Sequence, residues 1–410
     1  MGDGIKFNMP KATPELMFRI LLVVFWTQFT ILKFVTETIE RMPIIGVISD
    51  YIKPALFLSL IALSLPYIIS RIKLIDFLFY LFVILLILGT LLVYPDSSEY
   101  IFEYLWQILG LSVPVYFLGV TYDHEKSKED LYWGALFGVI AMFAYQLYAL
   151  SIGRILEADN MSASYNVLPS VMYLIYWAVT NSSIKNWIVA IMASLLPFVF
   201  GTRGAILTAL IFLGICFIYK IMNVKNTPLK LFLVLLVIGA ILYIATGDRI
   251  LNWAISMSET FGNIGFSTRV FDFIVEDELA TSHGRERLTE AVMSAIAQNP
   301  FQGYGFMGDR VITVAYGQPY VHNIILEFLC SFGIVGGCLA VLLVTTVPAM
   351  AIKKCWDSEN VWLLIMFVCL VFIKLLFSGS YVYEPFFYLL LGISVGVSRR
   401  MKKESRLILK

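Results

Sequence analysis

KLIDFLFYLFVILLILGTLLVY, residues 73–94, is the stretch whose reading decides the fold. At 1.5 Å per residue a helix of this length crosses the roughly 30 Å hydrocarbon core of a bilayer, and its apolar composition suits that solvent. Comparable runs lie near 16–35, 52–70, 101–120, 131–152, 164–180, 185–201, 204–221, 229–247, 323–350, 360–377 and 380–398. Together they predict an all-α polytopic membrane protein of about 12 transmembrane helices. The runs at 164–180 and 185–201 are the shortest, and each holds a proline, Pro169 or Pro197.

Composition points the same way. Hydrophobic residues make up 59% of the 410 and charged residues 14%, with a mean hydropathy of +0.82, which excludes an ordinary soluble domain. A net charge of +1 offers nothing to nucleic acid, so charge matters here by position. Cys216, Cys330, Cys338, Cys355 and Cys369 lie in or beside apolar runs without a CxxC pair or a Cys/His cluster, and read as small core residues. The first run holds Arg19, Trp26 and Gln28 and lacks an Ala-x-Ala cleavage site, so it reads as a retained helix.

Cytoplasmic connections keep more lysine and arginine than external ones. Placing both termini in the cytoplasm puts Arg71, Lys73, Lys126, Lys128, Lys353, Lys354 and the basic end from Arg399 to Lys410 inside. The short outer connections then carry Arg41, Lys53, Arg154 and Arg203. The chain divides accordingly into helices 1–9 over residues 1–247, a large extracytoplasmic loop over 248–322, helices 10–12 over 323–398, and a basic cytoplasmic tail over 399–410. A loop of that length is functional or disordered. Its aromatic content, including Trp253, Phe271, Phe301, Tyr304, Tyr316 and Tyr320, argues for a folded one. Within it Leu288, Ala291, Val292, Ala295 and Ile296 recur at helical spacing until Asn299-Pro300, which predicts an amphipathic helix.

The loop's basic residues are all arginine: Arg249, Arg269, Arg285, Arg287 and Arg310. A guanidinium presents a fixed fork of donors that suits phosphate oxygens, whereas pairing with the loop's acidic residues is the plainer alternative. Arg203, in Gly201-Thr202-Arg203-Gly204 between two apolar runs, is a charge held at a membrane boundary; such residues mark a site or snorkel to the interface. The flanking glycines would let a ligand approach the backbone closely. His322, at the mouth of the tenth helix, can accept a proton from a hydroxyl at neutral pH, which arginine cannot. Equally, His322 and Asn323 could simply cap that helix.

Three stretches carry a resemblance. Thr202-Arg203-Gly204-Ala205 opens a helix. Gly284-Arg285 is followed by Asn299-Pro300-Phe301-Gln302-Gly303-Tyr304-Gly305. His322-Asn323-Ile324-Ile325-Leu326-Glu327 leads to Gly333 and Gly336. In this order they resemble the SRG, GR…NPxxGxG and HNxxLE…G segments of the O-antigen polymerase and O-antigen ligase family of bacterial envelope glycosyltransferases. The chain departs from many relatives at Thr289, where they place a tryptophan.

The resemblance implies that Arg203 and Arg285 hold the diphosphate of an undecaprenyl-linked glycan donor while His322 activates the acceptor hydroxyl, without cofactor or metal. Arg269, Arg287, Arg310, Asn323, Tyr304 and Tyr320 complete the expected substrate contacts. Two arginines can neutralise the charge that develops on a departing diphosphate, and direct displacement would invert the anomeric carbon. The implied setting is the bacterial inner membrane, with the site facing the periplasm, and the implied partners are membrane lipids and a chain-length regulator protein.

A polymerase joins lipid-linked repeat units, and a ligase moves the finished glycan to lipid A core. The polymerase is favoured because nothing in the short connections suggests a site for a lipid A acceptor. A lipid-linked oligosaccharide flippase or other transporter would line a midplane pathway with polar groups and show two similar halves. Here the chief interior charges are Glu327 and Lys374, and most extramembrane sequence lies between helices 9 and 10. Replacing Arg203→Lys keeps the charge and removes the fork, a loss of roughly 1.5–3 kcal/mol per charged hydrogen bond. Glycan transfer by the purified variant should therefore fall on the order of ten- to a hundred-fold.

Overall fold

A computed structural model describes residues 13–40, 49–151, 157–223, 225, 228, 249–264, 268–275, 285–356 and 358–408. In chain order the helices are α1 (Pro14–Thr27), α2 (Ile31–Glu40), α3 (Ser49–Ile69), α4 (Leu74–Val93), α5 (Ser98–Trp106), α6 (Val115–Thr121), α7 (His124–Ser151), α8 (Glu157–Thr180), α9 (Ile184–Ser194) and α10 (Leu196–Val199). They continue with α11 (Arg203–Met222), α12 (Arg249–Ile264), α13 (Arg269–Val275), α14 (Arg285–Gln298), α15 (Asp309–Thr313), α16 (Ile324–Lys354), α17 (Asn360–Val368), α18 (Lys374–Phe377) and α19 (Pro385–Ile408). No strand occurs among the described residues.

Among the described residues, seven helical stretches are long and apolar enough to cross a membrane: Tyr51–Ile69, Leu74–Val93, Pro95–Thr121, His124–Tyr148, Arg203–Met222, Ile324–Lys354 and Asn360–Phe377. Ile184–Val199 is a shorter apolar helix. The run expected at 229–247 lies outside the described residues.

Several expected boundaries shift, and two of the shifts have a plain local cause. The first run breaks after Thr27, because the hydroxyls of Thr27 and Thr30 bond back to the carbonyls of Val23 and Thr27 and compete with the helical ladder. The last run starts at Pro385, where a missing N–H does no harm in a first turn, and continues to Ile408. Residues 399–408, expected as a separate tail, therefore extend α19.

Burial sorts the helices into a centre and a lipid-facing rim. From Val167 to Tyr176 α8 is buried on every face, with Val167, Leu168, Val171, Met172, Tyr173 and Tyr176 enclosed, which marks a central helix. α4 instead exposes Leu74, Phe77, Leu78, Phe82, Leu85 and Leu92, as a helix bordering hydrocarbon does. α6 and α19 cross almost backbone to backbone: a Cβ on Gly392 would lie 2.1 Å from the Tyr116 carbonyl oxygen. Small residues at such crossings are how apolar helices gain van der Waals contact when burial from lipid gains nothing.

The same crossing encloses a charge. Asp76 on α4 has no exposed surface and receives both Arg399 Nη atoms, at 2.7 and 2.8 Å, the Tyr116 hydroxyl at 2.9 Å and the Lys73 amide at 2.8 Å. The bidentate pair locks α4 to α19. Arg399→Ala leaves a buried carboxylate uncompensated and should lower stability by about 3–5 kcal/mol. The paired replacement Asp76→Leu with Arg399→Met should recover most of that loss in thermal unfolding of the detergent-solubilised protein.

Candidate active site

α16 is interrupted at Gly333, whose backbone turns to φ 69°, ψ 179°. The break frees carbonyls that an unbroken helix would have paired, and in an apolar setting they need donors. The loop Asn299–Gly305 supplies them: the Tyr304 amide donates to Cys330 O at 2.9 Å and the Gly305 amide to Ser331 O at 2.9 Å. In return the Ile334 amide donates to Pro300 O at 2.7 Å. Contact this close excludes side chains, since a Cβ on Gly333 would lie 2.5 Å from Phe301 O and one on Gly303 2.5 Å from the Gly333 nitrogen. Asn299 closes the turn by donating from Nδ2 to Gly303 O at 3.0 Å. The Phe306 amide then donates to Thr90 Oγ1 at 2.9 Å, tying the loop to the end of α4.

α14 runs into this loop with Leu288, Val292, Ala295 and Ile296 buried. Val292 and Ile296 form a small apolar cluster with Val321 and Cys330, so the helix rests on the start of α16. Tyr304, half-buried, donates its hydroxyl to Ala295 O at 3.1 Å and so braces α14.

Beneath the loop lies a buried ion cluster. Arg310 is 3% exposed, Asp309 fully buried and Glu327 1% exposed. The Arg310 guanidinium donates to Asp309, to Glu327 Oε1 at 2.6 Å and to the Ser380 hydroxyl, which itself donates to Glu327. Burial opposes the charge on Arg310, but the two carboxylates beside it raise its pKa overall. Asp309 also accepts from the Val321 amide at 3.2 Å, and Glu327 from the Tyr381 amide at 3.3 Å. The arginine expected to contact substrate is therefore enclosed, and it fastens the segment that carries His322.

His322 adopts φ 59°, a left-handed conformation that costs a non-glycine residue about 1–3 kcal/mol and persists only where neighbours hold it. Val321 is pinned to Asp309 on one side. On the other, the Asn323 side chain caps α16 by accepting from the Ile325 and Leu326 amides at 3.0 and 3.2 Å. Asn323 thus supplies the side-chain cap. The half-buried imidazole lies against Tyr320, ring centroids 4.3 Å apart, with Nε2 3.1 Å from Gln318 Oε1. Tyr320 packs on Tyr383 and Tyr383 stacks on Tyr104, at 5.8 and 5.3 Å. Burial raises the Tyr320 pKa, so its phenol stays a neutral donor.

Arg203 opens α11, half-buried, after Gly201 at φ 72°. The close approach that Gly204 permits is used by the protein itself: a Cβ there would lie 2.2 Å from the Tyr165 hydroxyl. Tyr165 carries Lys374 over its ring at 5.4 Å, and Lys374 pairs with Glu384. Glu384 follows Tyr383, which reaches Tyr320. A continuous series of contacts thus joins the mouth of α11 to that of α16.

Arg285 and Arg269 begin α14 and α13, and their side chains lie outside the described residues. Arg287 and Thr289 are exposed on α14. Asp309, Ser380, Tyr383 and Tyr104 were not singled out from the sequence; only Glu327, a charge inside an apolar run, signalled the cluster. Among the described residues the grouping with metal-ligand chemistry is His124, Glu125 and Glu359, away from this junction. Both ring nitrogens of His124 already meet tyrosine hydroxyls, of Tyr122 at 3.0 Å and Tyr176 at 2.7 Å.

Residues 188–341 match the family model described as O-antigen ligase. That interval contains all three motif stretches, from Thr202 to Gly336. Comparison with curated proteins and with solved structures finds no match. The chain is thus a multi-pass membrane protein whose match over residues 188–341 supports the O-antigen ligase and polymerase family.

Proposed function

We propose that this protein is a surface-polysaccharide polymerase that transfers an undecaprenyl-diphosphate-linked glycan onto the acceptor sugar of another lipid-linked repeat unit. The observation that carries the reading is His322: a strained left-handed residue, braced on both sides by hydrogen bonds and half open beside an aromatic wall. Strain of this kind, over-determined by its surroundings, marks functional positions.

In the reaction the acceptor hydroxyl oxygen attacks the anomeric carbon of the donor, the bond from that carbon to the diphosphate breaks, and the diphosphate leaves with the electron pair. His322 takes the hydroxyl proton. Arg203 and Arg285 hold the diphosphate and neutralise the charge that grows on it. Attack opposite the leaving group inverts the anomeric centre. Tyr320, Tyr383 and Tyr104 offer ring faces to the sugars, and Arg310 positions His322 from below. Both termini lie in the cytoplasm, the site faces the exterior of the inner membrane, and a chain-length regulator is the expected protein partner.

The match to a family described as O-antigen ligase favours a second reading, a ligase that delivers the glycan to lipid A core. Both readings use the same three residues. Incubation of the purified protein with a synthetic polyprenyl diphosphate repeat unit separates them: a ladder of lengthening products upholds the polymerase, and transfer seen only when a lipid A core acceptor is added replaces it with the ligase. A chelator should leave the rate unchanged.

His322→Ala should reduce transfer by roughly 10²–10⁴-fold. His322→Asn accepts the left-handed backbone yet lacks the base, so it should fold as the parent does and be equally inactive. Activity retained in both variants would sink the mechanism.

A further inference from the structure

At the far end of α4 from the candidate site the structure holds a cavity of about 530 Å³, lined by Arg71, Lys73, Arg399, Arg400 and Lys402 with Val120 and Gly396. α4 joins the two places. Its first turn carries Asp76, bound to Arg399, and its last holds Thr90, which accepts from Phe306 in the loop. The helix as a whole, 20 residues, spans about 30 Å, one bilayer core, with Asp76 and Thr90 roughly 21 Å apart along it. The cavity therefore sits at the opposite membrane boundary, where the apolar spans Tyr51–Ile69 and Leu74–Val93 meet and α19 passes from apolar residues into Arg399-Arg400.

Its charge is unbalanced. Asp76 is satisfied by Arg399, and Asp123 pairs with Arg71 at 3.5 Å, while the Arg71 guanidinium lies 4.5 Å over the Tyr67 ring. Lys73, Arg400 and Lys402 line the same space with no carboxylate partner among the described residues. Arg400 is half-buried, and its burial works against its charge more than Asp123 favours it. Three cations gathered without anions of their own, Arg400 among them partly desolvated, favour an anion from elsewhere, and a guanidinium is shaped for phosphate oxygens. Basic pockets between helices at a membrane boundary suit the headgroups of anionic lipids.

We infer that this cavity binds a phosphate group, carried by the headgroup of an anionic phospholipid, at the membrane face opposite the candidate active site. The fused backbone crossing of α6 and α19 forms its floor, so an occupied pocket also holds α4 against α19. Free phosphate offers the same oxygens without the acyl chains that would place the headgroup at this depth.

Native mass spectrometry of the full-length protein, released from detergent after incubation with phosphatidylglycerol or phosphatidylcholine, tests this. The parent should retain phosphatidylglycerol over phosphatidylcholine, and Arg400→Gln with Lys402→Gln should cut that retention at least tenfold while leaving the lipid-free melting temperature unchanged. The exposed pair Lys73→Gln with Lys402→Gln provides a second reading if the first variant melts lower, and should lose retention several-fold. Inorganic phosphate at millimolar concentration should not displace the lipid; displacement without preferential lipid retention would make the free anion the ligand and overturn the lipid assignment. Equal phosphatidylglycerol retention by parent and both variants would overturn the pocket altogether. None of these outcomes touches His322, so the glycosyltransferase reading stands or falls separately.

Discussion

Backbone groups in an apolar medium must find partners, and the break in α16 at Gly333 makes that demand at the centre of the candidate site. The carbonyls of Cys330 and Ser331 are met by amides of Tyr304 and Gly305, and the Ile334 amide by Pro300. An unsatisfied group there would cost several kcal/mol, so loop and helix hold one another in a single arrangement. The glycines at 303 and 333 follow from this contact, because each occupies space that a Cβ would have to share with backbone atoms. The rest of the junction hangs from that seam: α14 is drawn onto α16, and the chain beyond Gly305 is carried over the end of α4.

The buried cluster of Arg310, Asp309 and Glu327 is a costly element, since desolvating three charged groups consumes much of what their attraction returns. Its value is geometric. Asp309 and Glu327 spend their remaining oxygens on the amides of Val321 and Tyr381, and so bring the segment before α16 and the segment before α19 to fixed positions around His322. A histidine at φ 59° would relax if either neighbour were free; with Val321 bonded and Asn323 capping, it cannot. Two salt bridges, Glu327 with Arg310 and Lys374 with Glu384, also account for the interior charges that a transporter reading would have needed along a pathway.

α4 and α19 extend this order across the molecule. Both begin or end at the junction, and both are clamped away from it by Asp76 and Arg399 beside the basic cavity. The close crossing of α6 and α19 at Gly392 leaves little freedom for the pair to slide.

Apolar length and composition alone determined that this is a helical membrane chain, because a span is a local property read from some 20 consecutive residues. The amphipathic α14 was equally local, as was the candidacy of His322, Arg203 and the NPFQGYG turn, whose residue types and order carried the family resemblance. Other features were decided only in three dimensions. Arg310 looked like a ligand-facing arginine until Glu327, 17 residues on, and Ser380, 70 residues on, closed around it. Asp76 and Arg399 are 323 residues apart, and no periodicity signals such a pair. Arg399 and Arg400 read as the start of a basic cytoplasmic tail, yet α19 carries them against α4 and α6, where their charge is partly withdrawn from water. Sequence pattern reports the solvent each segment prefers, whereas which charges meet is set by tertiary contacts that local pattern does not encode.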